Sequence, residues 1–232
     1  MKTTKLTISV FSIFLFIFLS DNSFCQIPKS GIKAGITLTG IKSLVTLPDN
    51  EPGSVDPYSD KSNVTGISIF ASYDLLSNDF LILSGEAGFV QKGFKYNTES
   101  RNGNGEITGN GSVKNIFSYA DLSSSIKIIL RKKIISPYVS ITPVMGLFFG
   151  NSSTVTGNND TASLNSNKLI FDNLNSFTFG IKIGVGAEID RIIKNIPLII
   201  ECRYNPDLTD AYNKNNLSLK NQILEFNIGI KF

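Results

Sequence analysis

The side chains in this sequence that could do chemistry are amines and carboxylates, and several stand close together along the chain. Glu201 and Arg203 are two residues apart; Glu86 precedes Lys92, and Asp121 precedes Lys127. Such groups either exchange protons with a substrate or hold one another as ion pairs. They have no imidazole to work with. The 232 residues include no histidine, which excludes Ser-His and Cys-His nucleophile pairs, histidine bases and histidine-ligated zinc. Asp49, Glu51, Asp56 and Asp60 come nearest to an oxygen-only cation site, but their spacing fits no calcium-loop template and reads as a solvated acidic loop. Asn102-Gly103-Asn104-Gly105 and Gly109-Asn110-Gly111 are glycine-rich, yet lack the Gly-Lys-Ser/Thr ending and following helix of a phosphate loop. No catalytic residue, cofactor or metal is expected, and a net charge of +3 gives no footing for nucleic acid.

The elements that must position these charges are strands. Apolar residues alternate with small or polar ones in eight runs. The first pairs Ile32, Ala34, Ile36 and Leu38 with Lys33, Gly35 and Thr37. The sixth, the most regular, interleaves Phe177, Phe179, Ile181, Ile183, Val185, Ala187 and Ile189 with Thr178, Gly180, Lys182, Gly184, Gly186 and Glu188. The others begin near Gly66, Leu81, Asp121, Val139, Leu198 and Leu224. Connections alternate too: short at 76–79, 131–136 and 190–195, long and polar at 40–63, 97–114, 150–176 and 205–221. Short turns on one rim and long loops on the other predict an all-β, eight-stranded antiparallel up-and-down barrel of the transmembrane type, with short periplasmic turns and four external loops.

Which face meets lipid follows from the polar positions. They are mostly glycine and serine, as a crowded interior requires and a water-facing surface does not. Their charges nearly cancel: Lys33, Lys92, Lys127, Lys182, Arg203 and Lys231 against Glu86, Asp121, Glu188, Glu201 and Glu225. This predicts a structural ion network in the lumen, with Glu201 and Arg203 paired to Lys182, Glu188 or Lys231 on neighbouring strands. The apolar face carries no charge in any run, and its aromatics gather toward two rims: Phe89, Phe149, Phe177, Phe179 and Tyr204 at one, Tyr73 and Phe232 at the other.

Residues 1–25 read as a signal peptide: Lys2 and Lys5, then an apolar run from Ile8 to Leu19, too short to span a bilayer as a helix. Cleavage is expected after Cys25, with acylation of Cys25 as the competing reading, leaving 26–232 as one barrel domain. Cys202 then has no partner for a disulfide.

Gly31-Ile32-Lys33-Ala34-Gly35, Gly88-Phe89-Val90-Gln91-Lys92-Gly93, Ser136-Pro137-Tyr138-Val139, Phe179 to Gly186 and Glu201-Cys202-Arg203-Tyr204, in this order, resemble PorT-like outer-membrane β-barrel proteins, mostly of Bacteroidetes. Asn205-Pro206-Asp207-Leu208-Thr209 departs from that pattern, which usually has a glycine before Leu-Thr. The C-terminal Phe226, Ile228, Ile230 and Phe232 look like the signal by which such barrels are taken up by the barrel-assembly machinery. The resemblance implies a Gram-negative outer membrane and contact with its lipid, but the founding member's role in secretion does not carry over to so varied a family. The lack of histidine and an eight-stranded interior filled by paired charges point instead to a non-enzymatic structural or binding role, with an accessory subunit of a secretion or uptake assembly as its concrete form and a small-solute channel as the alternative. Asp160-Thr161-Ala162 is similar to a short Bacteroidetes O-glycan acceptor pattern.

Overall fold

The computed structural model describes residues 29–45, 61–101, 107–132, 134–157, 174–193, 196–214 and 217–232. The expected signal segment 1–25, the acidic positions 49, 51, 56 and 60, and the tripeptide 160–162 lie outside them.

Eight long strands form the wall: β1 (Ser30–Val45), β3 (Val64–Ser77), β4 (Leu81–Arg101), β5 (Ile107–Ile129), β6 (Ile135–Gly157), β7 (Phe177–Ile193), β8 (Ile196–Pro206) and β10 (Leu217–Lys231). Two short strands, β2 (Lys61–Ser62) and β9 (Tyr212–Lys214), extend the sheet against β4 and β10. Every neighbouring pair is antiparallel, and β1 pairs with β10 from Gly31↔Lys231 to Val45↔Leu217, closing the ring. Closure leaves no long open edge, which satisfies the backbone of a sheet crossing hydrocarbon.

The alternation sets the faces. Along β3 every second residue from Val64 to Asp74 is buried, and those between them, such as Ile67, Ile69 and Tyr73, are exposed. The outward side is a continuous apolar surface, with Ile126, Ile141, Ile183, Ile200 and Ile228 between 47% and 58% exposed. Phe149, Phe177, Phe179 and Tyr204 are exposed toward the long-loop rim, and Tyr73, Phe80 and Phe232 toward the short-turn rim. Apolar side chains outside and charges inside invert the arrangement of a water-soluble barrel. This is the architecture of a transmembrane barrel.

Strand runs into three of the expected loops. The segment 97–114 continues β4 to Arg101 and starts β5 at Ile107; β6 runs past Gly150 to Gly157; and β1 runs past Gly40 to Val45. Sheet pairing overrides the glycine and asparagine content here, because β4 and β5 stay in register from Leu81↔Ile128 to Ser100↔Gly109. In the fourth, 205–221, Asp207 forms an antiparallel bridge to Gly180 of β7 just past the end of β8. Strands of 21 and 23 residues reach about 70 Å along their length. Tilted by about 40°, they rise well beyond an apolar band about 25 Å tall. The sheet of β4, β5 and β6 therefore projects past the membrane.

Candidate functional site

The lumen is the site to which the alternation directs every charge of the expected ion network. Lys33, Glu86, Lys92, Asp121, Lys127, Lys182, Glu188, Glu201, Arg203, Glu225 and Lys231 are all buried. Glycine on the lumen side makes the space. At Gly88 a Cβ would sit 2.3 Å from the Phe70 ring, and at Gly186 one would sit 2.6 Å from the Tyr138 ring. Without those glycines the two aromatic rings could not lie flat against the wall.

The charges form a column. Nearest the short turns, Lys231 bridges Asp74 at 2.8 Å and Glu188, which Arg131 also approaches at 3.5 Å. Next comes the densest cluster: Arg203 grips Glu86 with two nitrogens, at 2.6 and 2.9 Å, and reaches Glu201 at 2.6 Å. Lys33 joins the same two carboxylates at 2.8 and 3.0 Å, and Lys127 approaches Glu86 at 3.4 Å. A third group has Lys182 between Asp121 at 3.0 Å and Glu225 at 2.9 Å. The fourth has Lys92 held by both Asp207 oxygens at 3.1 Å, with Asn221 donating to Asp207 at 2.8 Å.

Aromatic faces separate these groups. Phe70, fully buried, has the Lys182 ammonium 4.5 Å from its ring centroid, with Lys33 and Arg203 each at 5.8 Å. Tyr119 lies 4.5 Å from the Lys92 ammonium. Cation–π contact of this kind supports a buried amine without adding charge.

The pairing differs from the expected one. Glu201 and Arg203 pair with Lys33, Glu86 and each other, not with Lys182, Glu188 or Lys231, because long side chains reach across a narrow lumen to strands that are not adjacent in the sheet. Two carboxylates were missed. Asp74 and Asp207 continue the lumen parity of Ser72 and Asn205, one residue or a few beyond where each run seemed to end. With them the buried lumen charges are Lys33, Lys92, Lys127, Lys182, Arg203 and Lys231 against Asp74, Glu86, Asp121, Glu188, Glu201, Asp207 and Glu225. That is one carboxylate in excess, which Arg131 offsets at the rim.

Above Lys92 the interior changes character. Phe94, Tyr96, Val113, Phe117, Tyr119, Tyr212 and Leu219 make an apolar core inside the projecting part of the barrel, with Phe148 and Val155 packed on it. Phe94 stacks near Tyr96, and Phe117 and Tyr119 meet Phe148 edge-on at 6.5 and 5.6 Å. The polar residues around this core hid it from a reading of the sequence alone. The signal that would have found it is the persistence of period two from Phe94 to Tyr96 and from Val113 to Tyr119.

Among the described residues no group of three or more His, Cys, Asp or Glu is arranged to hold a metal ion. A groove of about 710 Å³, lined by Ala34, Val185, Ala187, Ile200, Cys202 and Phe226 among others, opens on the outward face, where small side chains leave a dip for lipid. Phe226, Ile228, Ile230 and Phe232 all lie outward on or just after β10.

No family model and no curated protein matches the chain. Solved structures do, at low identity. Neisserial surface protein A superposes with a TM-score of 0.44 and 12% identity, covering 88% of this chain and 95% of that one. The outer membrane protein OprG of Pseudomonas aeruginosa gives 0.44 and 10%, covering 91% and 99%. The outer membrane protease OmpT of Escherichia coli gives 0.47 and 10%, covering 92% and 99%. At these values the architecture stands on the strand ring itself.

Proposed function

We propose that this protein is an outer-membrane β-barrel of a Gram-negative bacterium acting as a non-enzymatic structural or binding module, with its inner passage closed. The observation that carries the reading is the column of buried ion pairs around Phe70, capped by the aromatic core of the projecting sheet. A barrel of eight strands has an interior that side chains can fill, and here large ones fill it: Arg203, Tyr119, Phe70, Phe94 and Phe117 are at most 2% exposed. Every lumen carboxylate has a cationic partner within 4 Å, so none is poised as a free base. Closed barrels with apolar walls belong to bacterial outer membranes, which supports that location. The PorT-like motifs fall on wall strands, and Phe226 to Phe232 on the closing strand, where an assembly factor would meet them. Residues 1–25 serve as the export signal in this reading, and an accessory place in a secretion or uptake assembly is its concrete form.

A narrow path for small solutes is the second reading. It is favoured by buried polar atoms without partners on Ser84, Ser123, Asn205, Asn221 and Asn227, which call for water. Planar-bilayer recording separates the two. The closed barrel gives no steps of porin size; stable steps that shift with charge changes at Arg203 overturn it.

A further inference from the structure

The outward wall of the projecting sheet carries a feature that neither the lumen nor the lipid face explains. Lys95 of β4 and Lys114 of β5 are directly opposite in the register, on the same outward face. Like charges in that position repel, and sheets ordinarily avoid them. Neither ammonium makes an ion pair or hydrogen bond among the described residues. The contrast with the other lysine pair of the rim is instructive. Lys42 and Lys220 are likewise opposite on β1 and β10, but Lys220 has Asp210 at 3.7 Å and donates to the Leu208 carbonyl at 2.9 Å.

Around Lys95 and Lys114 the described side chains are uncharged and, Ile116 apart, hydrogen-bonding. A bulge between β5 and β6, with Phe149 as the extra residue, turns Ser152, Thr154 and Thr156 outward beside Ile116, Lys114 and Ser112. Gln91 and Asn97 flank them on β4, and no carboxylate lies among the described side chains of this wall. Height identifies the layer it faces. Lys95 is six residues beyond Phe89, about 20 Å along the strand and about 15 Å above that aromatic ring at the usual tilt, with Ile116 outward between them. A phospholipid headgroup layer is only about 6 Å deep. Lysine stems snorkel back toward the membrane, so two ammonium groups set in hydroxyls and amides at the upper edge of the headgroup layer match a saccharide that carries phosphate above its acyl chains.

We propose that the outward face of β4–β6, centred on Lys95 and Lys114, binds the phosphorylated sugar headgroup of an outer-leaflet glycolipid. The phosphate accepts hydrogen bonds from both ammonium groups and relieves their repulsion, and Ser152, Thr154 and Ser112 hydrogen-bond the sugar. This rests on the outer-membrane reading, and its test keeps the two apart.

The full barrel, refolded into zwitterionic detergent micelles, is titrated with bisphosphorylated lipid A, its dephosphorylated form, phosphatidylglycerol and inorganic phosphate, with binding followed by native mass spectrometry. The wild type should hold lipid A at least tenfold tighter than the dephosphorylated form or phosphatidylglycerol, and lose it as salt rises. Lys95→Gln with Lys114→Gln should lose that tenfold preference, Lys95→Arg with Lys114→Arg should keep it, and Lys42→Gln should leave it unchanged. Equal binding of all lipids by the wild type overturns the proposal without reference to any variant. So does binding of free phosphate as tightly as lipid A, or lipid A affinity unaltered in the glutamine pair. Insertion into phosphatidylcholine vesicles is measured in parallel. A barrel that inserts but ignores lipid A loses this site alone, and a chain that inserts nowhere loses the membrane reading with it.

Discussion

Up to the ring of Phe89, Phe149 and Tyr204 outside, and the Lys92–Asp207 pair just above it inside, the barrel is charged within and apolar without; beyond that level, on the same strands, the relation is reversed. Strand β4 shows the change within one element. Glu86 and Lys92 point inward against Leu83 and Phe89 outward, and then Phe94 and Tyr96 point inward against Lys95 and Asn97 outward. Backbone and period are unchanged across the boundary. Only the solvent outside differs, hydrocarbon below and water above, so the phase of the polarity pattern records where the membrane stops. The lower region is held by ion pairs because its lumen cannot be covered by lipid, and the upper by apolar packing because its outer wall is wet.

Removing one member of the densest ion group is the most severe way to probe this contrast. Arg203→Met removes three charge-assisted hydrogen bonds from Glu86 and Glu201, which keep only Lys33 and Lys127, and is expected to cost about 3–5 kcal/mol. Urea titration in lipid vesicles reads it, followed by the gel shift of the folded form, since the chain has no tryptophan. A loss below about 1 kcal/mol would mean that water already screens the group. In the upper region, Phe117→Ala should cost about 3 kcal/mol, but locally. Limited proteolysis should cut the projecting strands while the membrane part keeps its gel shift; cooperative loss of both would show that the two regions are one folding unit.

The outer wall gives a matched pair. Ile183→Arg, midway along β7 and 58% exposed to lipid, should cost about 2–4 kcal/mol and depress insertion. Thr154→Arg, outward on the projecting part of β6, should stay within about 0.5 kcal/mol of the wild type. If the two substitutions cost the same in vesicles, the boundary drawn at the aromatic ring is misplaced.

The eight runs and their faces were legible in the sequence because alternation is local: Ile183 and Lys182 sit on opposite sides whatever the rest of the chain does. The partners inside the lumen were not. Lys33 and Glu86 are 53 residues apart and Glu86 and Arg203 are 117 apart, so their contact depends on lumen width and side-chain reach across strands that share no register. Asp74 and Asp207 were missed for a different reason. Each falls where the outward residues turn polar or irregular, at Leu75–Leu76 beside a register shift and at Pro206, so the run looked finished while its inward parity went on. The apolar upper core was hidden by its surroundings. Asn, Gly and Ser around Val113 and Phe117 are the composition of a loop, and only pairing with β4 and β6 makes them strand.

The seam between β1 and β10 carries a kinetic consequence. It joins Gly31 to Lys231, the most distant pairing in the sheet, so the ring shuts only when the last strand is present, and loop-closure entropy makes that the slowest contact to gain. Until then β1 and β8 are two unpaired edges, each able to recruit a strand from another molecule. Escort by other proteins until the final strand docks would therefore guard against aggregation during biogenesis, a hazard that the finished, edgeless cylinder no longer displays.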